Sequence, residues 1–183
     1  MELTEAQKVA FLDKHIPHRL CLLTTFRDRQ PWFRERIGHP DCDLLRAAKD
    51  SALISIRMFA EFLGLKTVDG KRNDAVFVDM LGGTRAPMED LPNKERSVIG
   101  GLLRRANKEL AHLTCDYTGH DEFGTARALV DGINIVERLL REHLYEPLKD
   151  EHPFPDLAKE KRFYDDEFQF VDGKESVSDF PRR

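Results

Sequence analysis

The sequence predicts a mainly α fold, a bundle of four or five helices with a small β insertion and an ordered C-terminal tail. Long segments repeat apolar residues at intervals of three and four, which places these residues on one face of a helix. With 40% apolar and 34% charged residues, the composition is that of a globular domain. We expect residues 1–148 to form the bundle and residues 149–183 the tail.

The first predicted elements follow the N-terminus. Thr4 and Gln7 have the spacing of a capping box, which predicts a short helix to about Lys14. Pro17 fits the first turn of a second helix. The apolar run at residues 19–26 fits either this helix or a buried strand, because so short a run does not reveal its period.

Residues 41–63 form the clearest predicted helix. An aspartate at the start can cap it, and Gly64 can end it. The apolar residues recur with helical spacing and form a stripe: Leu45, Ala48, Ala52, Ile56, Phe59 and Phe62 or Leu63. This stripe is expected to face the core.

Residues 64–93 contain many turn-forming residues and are expected to form an insertion. A strand is predicted over residues 75–81, with a hairpin turn at Asp69–Gly70 before it. A second strand over residues 168–171 would pair with the first. We therefore place the small β element between residues 65 and 82.

Two further helices are predicted at residues 93–116 and 122–145, and Pro147 ends the second. Gly100–Gly101 would weaken the first of these and let a neighbour approach closely. Its apolar stripe consists of Ile99, Leu102, Leu103, Ala106, Leu110 and Leu113.

The C-terminal tail is unusually rich in aromatic residues. A disordered tail is expected to be poor in them. We therefore expect this segment to pack on the bundle or on a second subunit through its aromatic side chains: Phe154, Phe163, Tyr164, Phe168, Phe170 and Phe180.

Bulk properties exclude several classes of protein. A net charge of −4 argues against gross, non-specific binding to nucleic acid, although residues 15–39 and residues 94–109 each carry a local excess of cations. Three cysteines without a Cys-x-x-Cys pair predict neither a disulfide framework nor a zinc ribbon. The start of the sequence is polar, and no apolar run is long enough for a membrane span. We expect a cytoplasmic protein without a cofactor.

The most informative side chains are Arg105 and His112. Seven residues make almost two helical turns, so both lie on one face of the predicted helix, about 20° apart. An imidazole transfers protons near neutral pH, and a guanidinium binds phosphate. The pair thus suits RNA cleavage without a metal, with Arg104, Asn107 and Lys108 as phosphate- or RNA-binding neighbours.

A helical bundle carrying Arg, four to six residues and then His on a late helix resembles the HEPN superfamily. The motif here is Arg105-x6-His112, within residues 41–145. The residue after the arginine, usually polar in that family, is Ala106, and Asn107 follows it. The resemblance implies a dimeric, metal-independent endoribonuclease or RNA-binding protein of a toxin–antitoxin or phage-defence system. It also implies Arg105 and His112 as catalytic residues and an antitoxin or effector as protein partner.

A second interpretation requires no catalysis. Glu109 follows Arg105 by four residues and precedes His112 by three, so a surface salt bridge accounts for all three side chains. The protein would then be a helical interaction module that grips another protein with its aromatic tail. The sequence contains no metal-binding motif, and no oxyanion-hole pattern accompanies Cys115. It therefore favours neither metal chemistry nor nucleophilic catalysis by Cys115.

Overall fold

A computed structural model of the chain describes residues 2–29, 42–65, 75–107 and 122–158, with the backbone alone at 42–43 and 122–125. Within these ranges the chain is mainly helical and contains no strand, so the predicted helical bundle is confirmed. None of the described helices has both the length and the apolar composition needed to cross a membrane.

The helices have the following bounds: α1 Glu5–Ala10, α2 Ile16–Asp28, α3 Cys42–Leu63, α4 Asn93–Arg105 and α5 Glu122–Leu140. Two π-helical turns, at Phe11–His15 and Arg141–Tyr145, join α1 to α2 and extend α5. Single 3-10 turns occupy Val78–Leu81 and Met88–Asp90.

The N-terminal capping box is present as predicted. The Gln7 backbone N–H donates to Thr4 Oγ1 at 3.3 Å, and the Thr4 N–H donates to Gln7 Oε1 at 2.9 Å. Residues 19–26 are helical, which decides between the helix and the strand that their sequence allowed.

The helix does not break between α1 and α2, contrary to the two separate helices expected. A π-helical turn joins them, and the Ile16 N–H bonds the Phe11 carbonyl five residues back. Pro17 follows immediately and has no N–H to donate. The π-helical turn thus replaces α-helical hydrogen bonds just where Pro17 would interrupt them.

Gly64 ends α3 in a Schellman motif. The Gly64 N–H donates to the Glu61 carbonyl at 3.2 Å, and the Leu65 N–H donates to the Ala60 carbonyl at 2.9 Å. Gly64 has a φ of 84°, a conformation that side-chain-bearing residues rarely adopt. The buried Leu65 then turns the chain back onto the bundle.

The centre of the bundle is formed by α3 and α5, and α2 and α4 each pack against both. Two contacts show that α4 runs antiparallel to α5: Glu95 reaches Arg138 at 2.6 Å, and Leu102 faces Gly132. Near the end of α2, Arg27 reaches Glu137 of α5 at 2.7 Å. The largest fully buried side chains come from all four helices and include Leu20, Leu23, Leu53, Ile56, Ile99, Leu129 and Ile133.

Gly132 lets α4 approach α5. A Cβ at this position would overlap Leu102 Cδ1 of α4 and would lie 3.4 Å from Ile56 Cδ1 of α3. The missing methyl group therefore provides the space in which three helices meet.

The strand predicted over residues 75–81 is wrong. Residues 75–77 have no regular structure, and Val78–Leu81 form a 3-10 turn. Val78 and Leu81 are both buried, and a spacing of three places them on one side of such a turn rather than on opposite faces of a strand. The predicted hairpin turn at Asp69–Gly70 and the partner strand at 168–171 lie outside the described residues.

A backbone hydrogen bond attaches the 3-10 segment to the end of α5. The Thr84 N–H donates to the His143 carbonyl at 2.7 Å. In an α-helix this carbonyl would accept from residue 147, but Pro147 has no N–H. Gly83 allows the contact, because a Cβ there would overlap the same carbonyl oxygen.

The start of the tail packs on the bundle. The Phe154 ring lies 5.1 Å from the Tyr145 ring, with the Arg141 guanidinium carbon 3.4 Å from its centroid. His152 Nδ1 lies 3.0 Å from Asp13 Oδ1. Residues 159–183 lie outside the described residues, so the docking of the whole tail stays a prediction.

Two helical glycines should respond oppositely to alanine. Gly132→Ala should lower the free energy of unfolding by about 1 kcal/mol, because overpacking of ~1–3 kcal/mol exceeds the gain in helix propensity. Gly101→Ala should raise it by ~0.5–1 kcal/mol, because a Cβ there meets no atom of the described residues within 4 Å. Urea denaturation measures both, and a gain for Gly132→Ala would contradict the packing described.

Phe154→Ala should lower the free energy of unfolding by ~1–2 kcal/mol, because the half-buried ring loses its contacts with Tyr145 and Arg141. Phe154→Leu keeps apolar volume and should lose less than half as much. Thermal unfolding followed by circular dichroism compares the two variants. Identical melting curves for the wild type and Phe154→Ala would mean that residues 149–158 do not stabilise the bundle.

Candidate functional site

The candidate site begins with the two faces of α4. Ile99, Leu102 and Leu103 point into the core and set the rotation of the helix. Helical backbone continues through residues 106 and 107. The solvent side presents four residues at helical spacing, here called the open face: Ser97, Gly100, Gly101 and Arg104.

The open face has no neighbour in the described part of the chain. A Cβ added at Gly101 would meet none of these atoms within 4 Å, and one at Gly100 would meet only the Arg104 guanidinium, at 3.7 Å. Neither glycine has a positive φ. No described element therefore makes the close approach to α4 that the two glycines were expected to allow. Each glycine nevertheless destabilises the helix by ~1 kcal/mol relative to alanine.

Arg104 and Asn107 share one side of this helical segment because they are three residues apart. Arg104 is exposed and forms no ion pair with any described residue, whereas Asn107 is half-buried. Arg105 is also half-buried and lies about 100° around the helix from Arg104. Both arginines occupy the last turn of α4, where cations also stabilise the helix dipole.

His112 and Lys108 lie outside the described residues, as does Glu109. The predicted pairing of His112 with Arg105 stays a prediction, and so does the alternative salt bridge through Glu109. Among the predicted site residues, the structure thus brings Arg104 and Asn107 onto one side and turns Arg105 away from them.

The beginning of α4 is held firmly, in contrast to its open end. The Arg96 guanidinium donates to the carbonyls of Glu89 and Leu91 at 2.7 and 3.1 Å. Arg138 of α5 bonds both Glu95 and Glu142. Partial burial lowers the pKa of Arg138, but the bonds and charges of these two carboxylates more than offset this and raise it above its usual value.

Other charged groups of the described chain brace the bundle. Arg27 bonds Asp28, Asn134 and Glu137. Burial lowers the pKa of Arg27, and its two carboxylate partners more than reverse the effect. The His143 ring contacts the Thr84 hydroxyl. The described residues contain no group of three or more side chains arranged to hold a metal ion.

Sequence reasoning missed a second surface, on α3. Leu44, Ile54 and Met58 are 53%, 46% and 40% exposed, respectively. The apolar stripe of α3 identified its buried face but left these three residues unassigned. Their own helical spacing, separate from the core stripe, is the feature that could have revealed them.

Comparisons with protein-family models, with curated proteins and with solved structures find no match for this chain. The similarity to the HEPN superfamily therefore remains a resemblance of motif.

Two arginines of α4 should differ in their effect on stability. Arg104→Ala should change the free energy of unfolding by less than ~0.5 kcal/mol, because the exposed side chain has no described ion-pair partner. Arg96→Ala should lower it by ~1 kcal/mol, because two carbonyls lose a charged donor. Urea denaturation of both variants tests this, and a larger loss for Arg104→Ala would mean that the arginine is structural.

Proposed function

We propose that the protein binds RNA through the open face of α4 and cleaves it without a metal ion. The observation that supports this best is the pair Gly100 and Gly101 beside an exposed Arg104. These glycines weaken the helix without a reason visible in the described chain. Local features that disfavour folding without compensation are expected at functional sites.

An RNA backbone suits the chemistry of this face. Without Cβ atoms, a ribose-phosphate chain can approach the helix closely, as glycine permits elsewhere. A guanidinium binds phosphate through paired N–H donors. The cations of residues 94–109 give this face a local positive charge on a chain whose net charge is −4.

The proposed reaction is transesterification. His112 removes the proton of a ribose 2′-hydroxyl, and the oxygen attacks the adjacent phosphorus. Arg105 stabilises the negative charge that develops on the phosphoryl oxygens. The bond to the 5′-oxygen breaks, this oxygen takes a proton from solvent or from a protonated histidine, and a cyclic phosphate remains on the other fragment.

A protein–protein interaction module is the second candidate. The observation that favours it is the exposed apolar surface of α3, because monomeric proteins rarely expose a large contiguous apolar patch. An interaction module would leave RNA untouched, so the RNA experiments below distinguish the two functions.

Cleavage of a mixed-sequence single-stranded RNA should proceed in EDTA, because the proposed groups are an imidazole and a guanidinium. His112→Ala and Arg105→Ala should each lower the rate by ~100-fold or more. A gel-based time course with labelled RNA measures the rates. Activity that persists in His112→Ala would reject this catalytic site.

Binding variants separate contact with RNA from catalysis. Arg104→Ala should weaken RNA binding and reduce the slope of log affinity against log salt by about 0.7, the value for one phosphate contact on a single strand. Gly101→Leu should weaken binding by blocking close approach without changing charge. Arg19→Ala, an exposed arginine of α2, is the matched control and should bind RNA as the wild type does. Equal affinity of all four proteins would reject the open face as the RNA-binding surface.

A further inference from the structure

The solvent side of α3 consists of two parallel rows. One row, here called the apolar strip, comprises Leu44, Ala47, Ser51, Ile54, Met58 and the half-buried Phe62. The other, here called the charged row, comprises Arg46, Asp50, Arg57 and Glu61. At 100° per residue, the apolar strip covers about 80° of the helix, and the charged row lies along one of its edges.

The exposed residues of the apolar strip are large. Its three large exposed residues, Leu44, Ile54 and Met58, are 40–53% accessible. A surface with an apolar centre and a charged rim has the composition expected of a protein interface. An RNA partner fits poorly, because the charged row contains as many carboxylates as guanidinium groups.

We propose that a second copy of this chain covers the apolar strip, with the two α3 helices antiparallel about a two-fold axis near Ile54. In this register Ile54 meets the partner's Ile54, and Leu44 lies opposite the partner's Phe62. Met58 lies opposite the partner's Ser51, so a large residue meets a small one. At 1.5 Å per residue, these pairs match in height to within ~3 Å.

The charged row selects the same register. A two-fold axis places the charged rows of both copies on the same side of the interface. Arg46 then lies level with the partner's Glu61, and Asp50 lies level with the partner's Arg57, each to within ~2 Å along the axis. A parallel two-fold arrangement would instead place the two charged rows on opposite sides of the interface, where they could not pair. The same register thus matches a large apolar side chain with a small one and positive side chains with negative ones.

Arg57 can bond a carboxylate of its own helix and one of the partner at the same time. Its Nε lies 3.6 Å from Glu61 Oε1 of the same helix. A guanidinium has five N–H donors and a carboxylate accepts several hydrogen bonds, so the intramolecular contact leaves capacity for the partner.

The size of the interface predicts its strength. From Leu44 to Phe62, α3 rises ~27 Å. One pair of helices of this length makes an interface smaller than the ~800 Å² per partner of standard complexes. We therefore expect reversible dimerisation with a dissociation constant in the micromolar range, on the order of 1–100 μM.

The test is the oligomeric state of the full chain by sedimentation equilibrium from about 1 to 500 μM. The wild type should change from monomer to dimer over this range, and Ile54→Arg should raise the dissociation constant at least ~100-fold, because two cations would meet at the axis. Val9→Arg is the matched control: Val9 of α1 is also 46% exposed, and its replacement should leave dimerisation unchanged. Far-UV circular dichroism checks that every variant is folded.

A charge exchange tests the register itself. Arg46→Glu and Glu61→Arg should each raise the dissociation constant by ~10-fold, and the double variant should return to within ~3-fold of the wild type. A wild type that stays monomeric at 500 μM overturns the proposal. Dimerisation that survives Ile54→Arg overturns this surface, and a double variant no better than the singles overturns this register. RNA binding is measured on α4 variants, so either proposal can fail without the other.

Discussion

The contact of three helices at Gly132 determines how the other surfaces of the bundle are presented. Leu102 of α4 and Ile56 of α3 converge on this residue of α5, where even one methyl group would overlap its neighbour. The ion pair between Glu95 and Arg138 fixes the rotation of α4 at its other end. With that face of α4 buried, Arg104 must point to solvent.

Most of the fold follows from local rules, and the strand wrongly predicted over residues 75–81 shows the limit of these rules. The capping box at Thr4, the end of α3 at Gly64 and the periodicity of α3 to α5 are all readable from neighbouring residues. Residues 75–81 are β-prone in composition but form a 3-10 turn. The buried side chains of Val78 and Leu81 and the nearby Thr84–His143 hydrogen bond, which joins segments 59 residues apart, are tertiary features that leave no local sequence pattern.

The structure describes only part of the candidate site, Arg104, Arg105 and Asn107. That Arg104 and Asn107 share a side follows from helical spacing alone. By contrast, the sequence suggested that Gly100 and Gly101 admit a neighbour, and the described bundle provides none. In α3, the main hydrophobic period identifies the buried face, whereas the exposed Ile54 belongs to a second set of apolar residues outside that period.

Charge distinguishes the partners of the two surfaces. The open face of α4 combines an exposed guanidinium with backbone that lacks side chains, which favours a polyanion with a repetitive backbone. The charged row of α3 is neutral overall and alternates in sign, which gives an RNA nothing to bind but complements an antiparallel copy of itself. Because α3 packs on α4, the two surfaces belong to the same helical bundle. Dimerisation through α3 would thus place two open faces on one particle, and an RNA long enough to reach both would bind more tightly than either face alone allows.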